Sequence, residues 1–232
     1  MARRGNSDTI STQVRNQLRK DILAGTWLPG EKLLLSELSK RYITSSTVVR
    51  EALTRLSGDD LVQLKPNRGF FVPQLSLSEL RDFNELRCVT EGLGIRLAVE
   101  RGDLTWESEL IAAHHLLERT QHYRTDEPTK LDDAWVLAHA AFHRKLLEAC
   151  QVQVLIDLSS RLADSTSLYR RWGGVAPATT PRDVETEHRE ILNAVTARDA
   201  ELAAELLRQH YTRTTEVIVE SGLVTSVPAL QD

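Results

Sequence analysis

Four of the seven histidines of this chain follow spacings that are typical of metal ligands. His139 and His143 stand four residues apart in the segment HAAFH, so on a helix both imidazoles lie on one face. His188 and His210 each continue an apolar stripe at helical spacing in later segments. Imidazole is the commonest protein ligand of borderline divalent cations, so these residues predict a transition-metal site, with zinc favoured and nickel or copper as alternatives. For any one of them taken alone, a hydrogen-bonded core histidine is the competing interpretation.

The segment HAAFH does not indicate a metalloenzyme. A zinc protease places its general-base Glu directly after the first histidine of such a pair, and here that position holds Ala140. No Ser-His-Asp or Cys-His arrangement is evident in the sequence. We therefore expect a protein that is not an enzyme, in which the metal has no catalytic role. The remaining histidines His114, His115 and His122 are expected on the exposed side of their helix pattern.

A carboxylate is the ligand that such a centre would suit. A buried metal with open coordination positions can bind a carboxylate, and Arg87 in the segment RCVTE is expected to face the same interior and hold further oxygens. An intrahelical ion pair between Arg87 and Glu91 explains the same spacing equally well. Tyr169 and Arg170, near the end of a later helix, are further candidates for the effector pocket.

The elements that must position these residues are helices. Apolar residues recur with the period of an α-helix from Leu77 onward, and the sequence shows no strand pattern after Pro73. Helices are expected over residues 77–101, 106–123, 131–149, 154–172, 183–197 and 200–219. The inward stripe of the first is expected to comprise Leu80, Phe83, Leu86, Leu93, Leu97 and Ala98. These six segments predict an antiparallel α-helical bundle.

Residues 33–72 have a different pattern, which is typical of a winged helix-turn-helix. A short helix with Ser36 as its N-cap is followed by a tight turn and by a second helix over residues 46–57. The second helix is expected to bury Val49, Leu53 and Leu56. Two short β-favouring runs then flank the segment KPNRG, where Asn67 and Gly69 suit a tight loop.

This order of elements would present one helix to a DNA major groove. Arg50, on the outer face of the second helix, is placed to bind a guanine edge or a phosphate. Ser45, Ser46 and Thr47 are expected at the N-terminus of that helix, where hydroxyls and free N–H groups suit phosphate oxygens. Further contacts are expected from the wing tip and from neighbouring cations, namely Arg68, Gly69, Lys40, Arg41 and Lys65.

The composition fits two joined modules. Residues 1–75 carry 12 Lys and Arg against 7 Asp and Glu, whereas residues 76–232 carry 17 against 26. A basic N-terminal segment followed by an acidic remainder fits a nucleic-acid-binding domain joined to a second domain. The chain has no apolar run long enough for a membrane span and no export signal, so we expect a cytoplasmic protein in which Cys88 and Cys150 stay thiols.

The expected fold class is mainly α, with an N-terminal winged helix-turn-helix and a C-terminal antiparallel helical bundle. Four parts are expected along the chain. They are a flexible basic arm at 1–8, the DNA-binding domain at 9–74, an all-helical effector-binding and dimerisation domain at 75–222, and a flexible tail at 223–232.

Residues 14–72 resemble the N-terminal domain of the GntR superfamily of bacterial regulators. The matching pieces are LRKDILAGTWLPGEKL, STVVREALTRL and PNRGFFV, which are long and specific motifs. The resemblance continues through the helical part to about Gly222, where it is to the FCD domain of the fatty-acid-regulator-like branch. Many members of that branch have Arg where this chain has Ser46, and some have Arg where it has Ser36. The base preference of other members is therefore not transferred to this chain.

The resemblance implies the metal-binding class of FCD domains, in which an Asp-x-x-x-His pair joins two later histidines. His143, His188 and His210 match that pattern, and His139 stands where the pattern usually has Asp. Two alternatives stay open: four imidazole ligands, or three with His139 as a bystander. The resemblance also implies a small carboxylate effector and a homodimer on a palindromic operator of double-stranded DNA. Repression is the commoner behaviour of the family, and activation remains an alternative.

Overall fold

A computed structural model of the protein describes residues 9–127, 130–172 and 182–221. The expected arm at 1–8, the loop at 173–181 and the tail at 223–232 lie outside the described residues. Contacts between Cα atoms divide the chain into two compact units, one ending at Gln74 and the other beginning at Leu75.

The N-terminal unit contains three helices and three short strands among its described residues. In chain order these are α1 (Ile10–Leu23), β1 (Lys32–Leu33), α2 (Leu35–Arg41), α3 (Ser46–Gly58), β2 (Gln63–Lys65) and β3 (Gly69–Phe71). The order is that of the predicted winged helix-turn-helix, with α2 and α3 as the helical pair and β2 and β3 as the wing. Helix α1 packs on α3. The core of the unit includes Leu18, Ile22, Val49, Leu53 and Leu56, the last three as predicted.

The cap of α3 is a serine side chain. The Ser45 hydroxyl accepts a hydrogen bond of 3.3 Å from the backbone N–H of Val48, which satisfies one of the free donors of the first turn. The prediction that Ser36 caps α2 is wrong. Helix α2 already begins at Leu35, and the cap position is held by Leu34, whose apolar side chain makes no capping hydrogen bond.

A third strand completes a small antiparallel sheet. Strand β3 lies between β1 and β2 and pairs with both. Strand β1 was not predicted, because two residues are too few to show an alternating pattern. The wing loop carries Asn67 at φ 57° and Gly69 at φ 96°, the left-handed conformations that the tight loop requires. Arg68 lies between them at the tip of the wing.

The second unit consists of six helices over its described residues, the number predicted. They are α4 (Leu77–Arg101), α5 (Leu104–Arg119), α6 (Asp133–Glu148), α7 (Gln153–Trp172), α8 (Val184–Thr196) and α9 (Ala200–Glu220). Helix α5 ends earlier than predicted. The chain turns back after it, because Tyr123 pairs with Leu131 in a β-bridge and the backbone N–H of Asp132 donates to the carbonyl of His122 at 3.0 Å.

Helix α4 is the centre of the bundle and packs against α6, α7 and α9. Leu80 and Ala98 are buried as predicted, but Leu86 and Leu93 are 43% and 51% exposed, so the predicted stripe is wrong at these two positions. The physical reason is that α4 carries apolar residues on two opposite faces. Its exposed face includes Val89 as well, at 67%.

Helix α4 approaches its neighbours closely at Gly94. A Cβ added there would lie 2.8 Å from Cδ2 of Leu155 and 3.1 Å from Cδ2 of Leu147. The missing side chain therefore lets α4 lie against α6 and α7 without displacing these leucines.

In the same part of the bundle, Cys88 is half-buried and Cys150 is buried, and both are free thiols. Within the described ranges, no helix is both long and apolar enough to cross a bilayer.

Candidate metal centre and nucleic-acid interface

The bundle brings four histidines from three helices to one place. His139 and His143 come from α6, His188 from α8 and His210 from α9, and each offers one nitrogen within 4.8 Å of the others. All four side chains are buried. Each imidazole therefore faces inward as predicted, although the four histidines lie up to 71 residues apart in the sequence.

Burial determines the protonation state of the cluster. Loss of hydration, together with the neighbouring imidazoles, holds the pKa values of His139, His143 and His188 well below the ordinary value. Burial also lowers the pKa of His210 to about 4, although Glu187 opposes that shift. Neutral imidazoles with available lone pairs are the form that binds a metal ion.

A chain of polar contacts orients the ring of His143. Tyr211 donates its hydroxyl proton to Glu91 at 2.5 Å, so the hydroxyl oxygen is left to accept from Nδ1 of His143 at 3.1 Å. Glu91 also accepts from Nε of Arg87 at 2.7 Å, and the Arg87 guanidinium lies 3.9 Å from the centre of the Tyr211 ring. With its proton on Nδ1, His143 presents the lone pair of Nε2 to the cluster.

His210 is oriented by a carboxylate. Its Nδ1 lies 2.8 Å from a carboxylate oxygen of Glu187 and 3.2 Å from Nη2 of Arg182. That Nη2 already donates to Glu187 at 2.6 Å and to the carbonyl oxygen of His210 at 3.0 Å. Because a carboxylate only accepts, the proton of His210 belongs on Nδ1, and Nε2 is again the free ligand atom. Burial raises the pKa of Glu187, but hydrogen bonds from Arg182 and His210 outweigh it and hold the pKa well below its usual range.

The spacing of the nitrogens fits a single ion. Nε2 of His143 and Nε2 of His188 face each other at 3.3 Å. Two imidazole nitrogens that share a tetrahedral Zn²⁺ at about 2.0–2.1 Å are separated by about 3.3–3.4 Å. In the tautomers that present a lone pair on both nitrogens, the two lone pairs repel each other, and a cation between them removes that repulsion; in the other tautomer of His188 the same distance is a hydrogen bond. The donor set therefore fits a borderline metal ion rather than Mg²⁺ or Ca²⁺, which prefer oxygen.

A second cation, the half-buried Arg170 of α7, belongs to the same region. It acts electrostatically on His139, His143 and His210, and within the described residues it makes no hydrogen bond or ion pair. Burial, with Arg87 nearby, lowers its pKa to about 10, so it stays protonated at neutral pH. Arg87, by contrast, is paired with Glu91, as one of its two interpretations expected.

Tyr169 is the predicted pocket residue that the structure does not bring to the histidines. Its hydroxyl donates to Glu79 at 2.6 Å and accepts from the backbone N–H of Ser76 at 3.2 Å. The ring packs edge-on against Phe83. Tyr169 therefore fixes the start of α4, and its hydroxyl is already occupied.

The three residues that orient the histidines were not among the predicted site residues, and two further histidines lie elsewhere than predicted. Glu91, Glu187 and Tyr211 had no motif of their own, although Glu187 and Tyr211 are sequence neighbours of predicted ligands. His114 is buried rather than exposed, because it packs edge-on against Phe142 at 5.4 Å. His122 is half-buried in a ring stack rather than on the surface, whereas His115 is exposed as predicted.

The predicted DNA-reading residues share the outer side of α3. Ser45, Ser46 and Thr47 occupy its N-cap and first turn and are exposed, and Arg50 is exposed one turn further along. Within the described residues the guanidinium of Arg50 makes no hydrogen bond or ion pair. It is therefore available to an external partner.

The other predicted cations divide into available and occupied side chains. Arg68 at the wing tip and Lys40 at the end of α2 are exposed and pair with nothing in the described part of the chain. The Lys65 ammonium lies 4.8 Å from the centre of the Phe71 ring, close to Gly69. Arg41 differs, because it pairs with Asp21 at 3.0 Å and therefore holds α2 to α1.

A winged helix-turn-helix joined to an all-helical domain is typical of DNA-binding transcription regulators. Comparison with known families agrees: residues 10–72 match the model of bacterial regulatory proteins of the gntR family, and residues 82–213 match the FCD domain. The chain belongs to the GntR family and carries an FCD domain, which confirms the resemblance found in the sequence.

Curated relatives and solved structures support the same assignment. BphR of Paraburkholderia xenovorans, an HTH-type transcriptional regulator, is 34% identical over 90% of this chain and 84% of its own length. The HTH-type transcriptional repressor GlaR of Escherichia coli is 33% identical over 92% of both chains. The solved structure of E. coli McbR/YncC shares the fold, with a TM-score of 0.77 over 92% of this chain and 99% of that chain at 22% identity. These relatives are regulators, in agreement with the prediction that the chain is not an enzyme.

Proposed function

We propose that this protein is a dimeric, cytoplasmic transcription regulator that binds a palindromic operator and senses a small carboxylate at a histidine-bound metal ion. The observation that carries the proposal is the convergence of four buried, neutral imidazoles in the FCD domain of a GntR-family chain. Two relatives, GlaR and RspR of E. coli, are named repressors, and repression released by the effector is the mode we propose here.

The DNA contacts that we propose follow from exposure and charge. Arg50 reads a base edge in the major groove, while Ser45, Ser46 and Thr47 bind phosphate at the N-terminus of α3. Arg68 and Gly69 bring the wing to the adjacent groove or backbone. Lys40 and Lys65 add attraction that is independent of sequence and weakens as salt rises.

The metal that we propose is Zn²⁺, with Ni²⁺ or Cu²⁺ as the alternatives, held by His139, His143, His188 and His210. An all-nitrogen donor set without a carboxylate favours these ions over harder ones. When bound, the ion would act as a Lewis acid, and a carboxylate would bind it as a fifth ligand beside the four histidines.

Arg170 is the side chain that we propose for the other anionic part of the effector. Arg87 is ion-paired with Glu91 and Arg182 with Glu187, whereas Arg170 forms no ion pair among the described residues, and Glu91, the carboxylate that acts on it electrostatically, is already paired. A cation that is partly removed from water and lacks an ion pair carries a desolvation cost, and an anionic ligand would offset that cost. Arg87 lies close enough to Arg170 to contribute to the same attraction.

The dimer that we propose uses the exposed face of α4. Leu86, Val89 and Leu93 recur at helical spacing and together form an apolar strip on the longest helix of the described chain. A palindromic operator requires two copies of the DNA-binding unit, and a self-complementary apolar strip suits a two-fold interface.

The DNA half of the proposal is tested by selecting bound fragments from genomic DNA. We expect one enriched palindromic sequence, bound with an affinity that falls steeply as salt rises. Fragments enriched without any shared sequence would contradict operator recognition.

The effector half is tested by melting the zinc-loaded protein in the presence of a panel of small carboxylic acids. An acid present at 100 times its dissociation constant would stabilise the folded state by about 2.7 kcal/mol, a shift of several degrees. The shift should disappear in Arg170→Gln and persist in Arg161→Gln, which removes an exposed arginine from the same helix. A shift that is equal in both variants would remove Arg170 from the effector site.

A further inference from the structure

His139 is held in a different way from two of the other histidines. Nδ1 of His143 and Nδ1 of His210 are fixed by hydrogen bonds to Tyr211 and Glu187. His139 makes no hydrogen bond within the described residues. Its ring instead lies 4.7 Å from the ring of Trp135, with an angle of 28° between the two planes. Stacking rather than hydrogen bonding therefore sets the orientation of this imidazole.

Trp135 is itself held between two histidines. The ring of His122 stacks on it at 4.0 Å with an interplanar angle of 24°, and Tyr123 stacks on His122 at 4.2 Å. Trp135 is only 6% exposed, and the loop that carries His122 is tied back by the hydrogen bond from Asp132. The indole thus has little freedom to rotate, and four rings form a continuous column from the loop to the histidine cluster.

We propose that Trp135 is a positioning residue that fixes His139 as the fourth metal ligand. The inference rests on the metal centre proposed above, and it decides between the four-ligand and three-ligand alternatives for this chain. A carboxylate at position 139 would be oriented by hydrogen bonds, whereas an imidazole has two flat faces that an indole can hold. The stack limits the ring of His139 to the orientation that presents a lone pair. The hydrogen bonds to Tyr211 and Glu187 do the same for His143 and His210.

The probe for this proposal is Co²⁺, titrated into metal-free protein and followed by visible absorption. Four-coordinate cobalt absorbs strongly in the visible range, and replacement of a histidine by water molecules weakens that absorption. Wild type should show the strong spectrum. Trp135→Leu should bind Co²⁺ about 10- to 100-fold more weakly and show the weaker spectrum of His139→Ala. Trp135→Phe, which keeps an aromatic face, should recover most of the affinity and intensity.

Trp106→Leu is the matched control. Trp106 is buried to a similar degree in the same core, and in the described part of the chain it stacks on no histidine. We expect this variant to lose thermal stability while keeping the affinity and spectrum of wild type. Should Trp135→Leu fail to fold, His122→Ala removes the half-buried ring that stacks on the other face of Trp135, and a several-fold weaker cobalt affinity is expected.

The outcomes separate this inference from the proposed function. If wild type binds cobalt and Trp135→Leu shows the same spectrum and affinity, the role of the stack is overturned and the metal centre stays intact. His122→Ala provides the same test if Trp135→Leu does not fold. A strong wild-type spectrum that survives in His139→Ala would show that His139 is not a ligand. Absence of cobalt binding by wild type would instead overturn the metal centre itself, and the inference with it.

Discussion

At the scale of single residues, a carboxylate that is hydrogen-bonded to a metal-binding histidine influences how tightly that histidine binds the metal ion. We expect Glu187→Gln to weaken metal binding about 10- to 100-fold, because the neutral amide no longer favours the tautomer of His210 that leaves Nε2 free. The measurement is a competition titration with a chromophoric chelator. Glu185→Gln, an exposed neighbour on α8, is the control and should bind like wild type. Equal affinities of the two variants would contradict the proposed orientation of His210.

A second residue-scale prediction concerns Arg50. Arg50→Ala should reduce the preference for the selected operator over random DNA by about 1–3 kcal/mol, because a bidentate contact with a base edge is lost. Competition gel shifts measure this preference. Arg55→Ala removes the same charge from the same helix, but Arg55 turns toward α1 and donates to Thr12 at 3.3 Å. That control should leave the preference unchanged, and a similar loss in both variants would indicate a charge effect only.

A third residue-scale prediction concerns the turn between α2 and α3. Ile43 adopts φ 50° with its side chain 94% exposed, so a β-branched residue occupies the left-handed region without any packing in return. Ile43→Gly should raise the free energy of unfolding by about 0.5–1 kcal/mol, measured as the urea midpoint at constant slope. Ile43→Ala keeps the Cβ and should gain less. A lower midpoint for the glycine variant would show that the turn is not strained.

At the scale of elements, the exposed strip of α4 makes the dimer testable. Leu93→Glu would place two charges in the apolar interface that we propose, so we expect the protein to sediment as a monomer at concentrations where wild type is a dimer. Leu116→Glu introduces the same charge at a similarly exposed leucine on α5 and should leave the dimer intact. A dimer that survives Leu93→Glu would place the interface elsewhere.

The elements also show how far sequence reasoning reaches. Helix positions and inward histidines were predictable, because the periodicity of apolar residues is a local property that α6, α8 and α9 express clearly. The buried face of α4 was not predictable, because a helix with apolar residues on two sides gives no single apolar stripe. Strand β1 depends on its pairing with β3, which lies far along the chain. For the same reason, the contact of Tyr211 with His143 and the stacking of His122 on Trp135 could not be read from spacing.

At the scale of the whole molecule, the proposed function requires that the ligand centre influences DNA affinity. An effector shifts an equilibrium only by its difference in affinity for two arrangements, and couplings of about 1–3 kcal/mol correspond to a change of about 5- to 150-fold. In the proposed site, Arg170, which forms no ion pair among the described residues, and the metal ion together would give the carboxylate its affinity. The four imidazoles are therefore the part of the molecule on which the proposed response depends.

The most direct test of that dependence is anomalous X-ray scattering from crystals of the purified protein, collected on either side of the absorption edge of the metal. We expect one strong peak per chain, within bonding distance of a nitrogen from each of His139, His143, His188 and His210. A map without a peak there, in protein prepared without chelators and offered zinc, would contradict the metal centre. The four imidazoles would then be core residues held by hydrogen bonds and ring stacking alone.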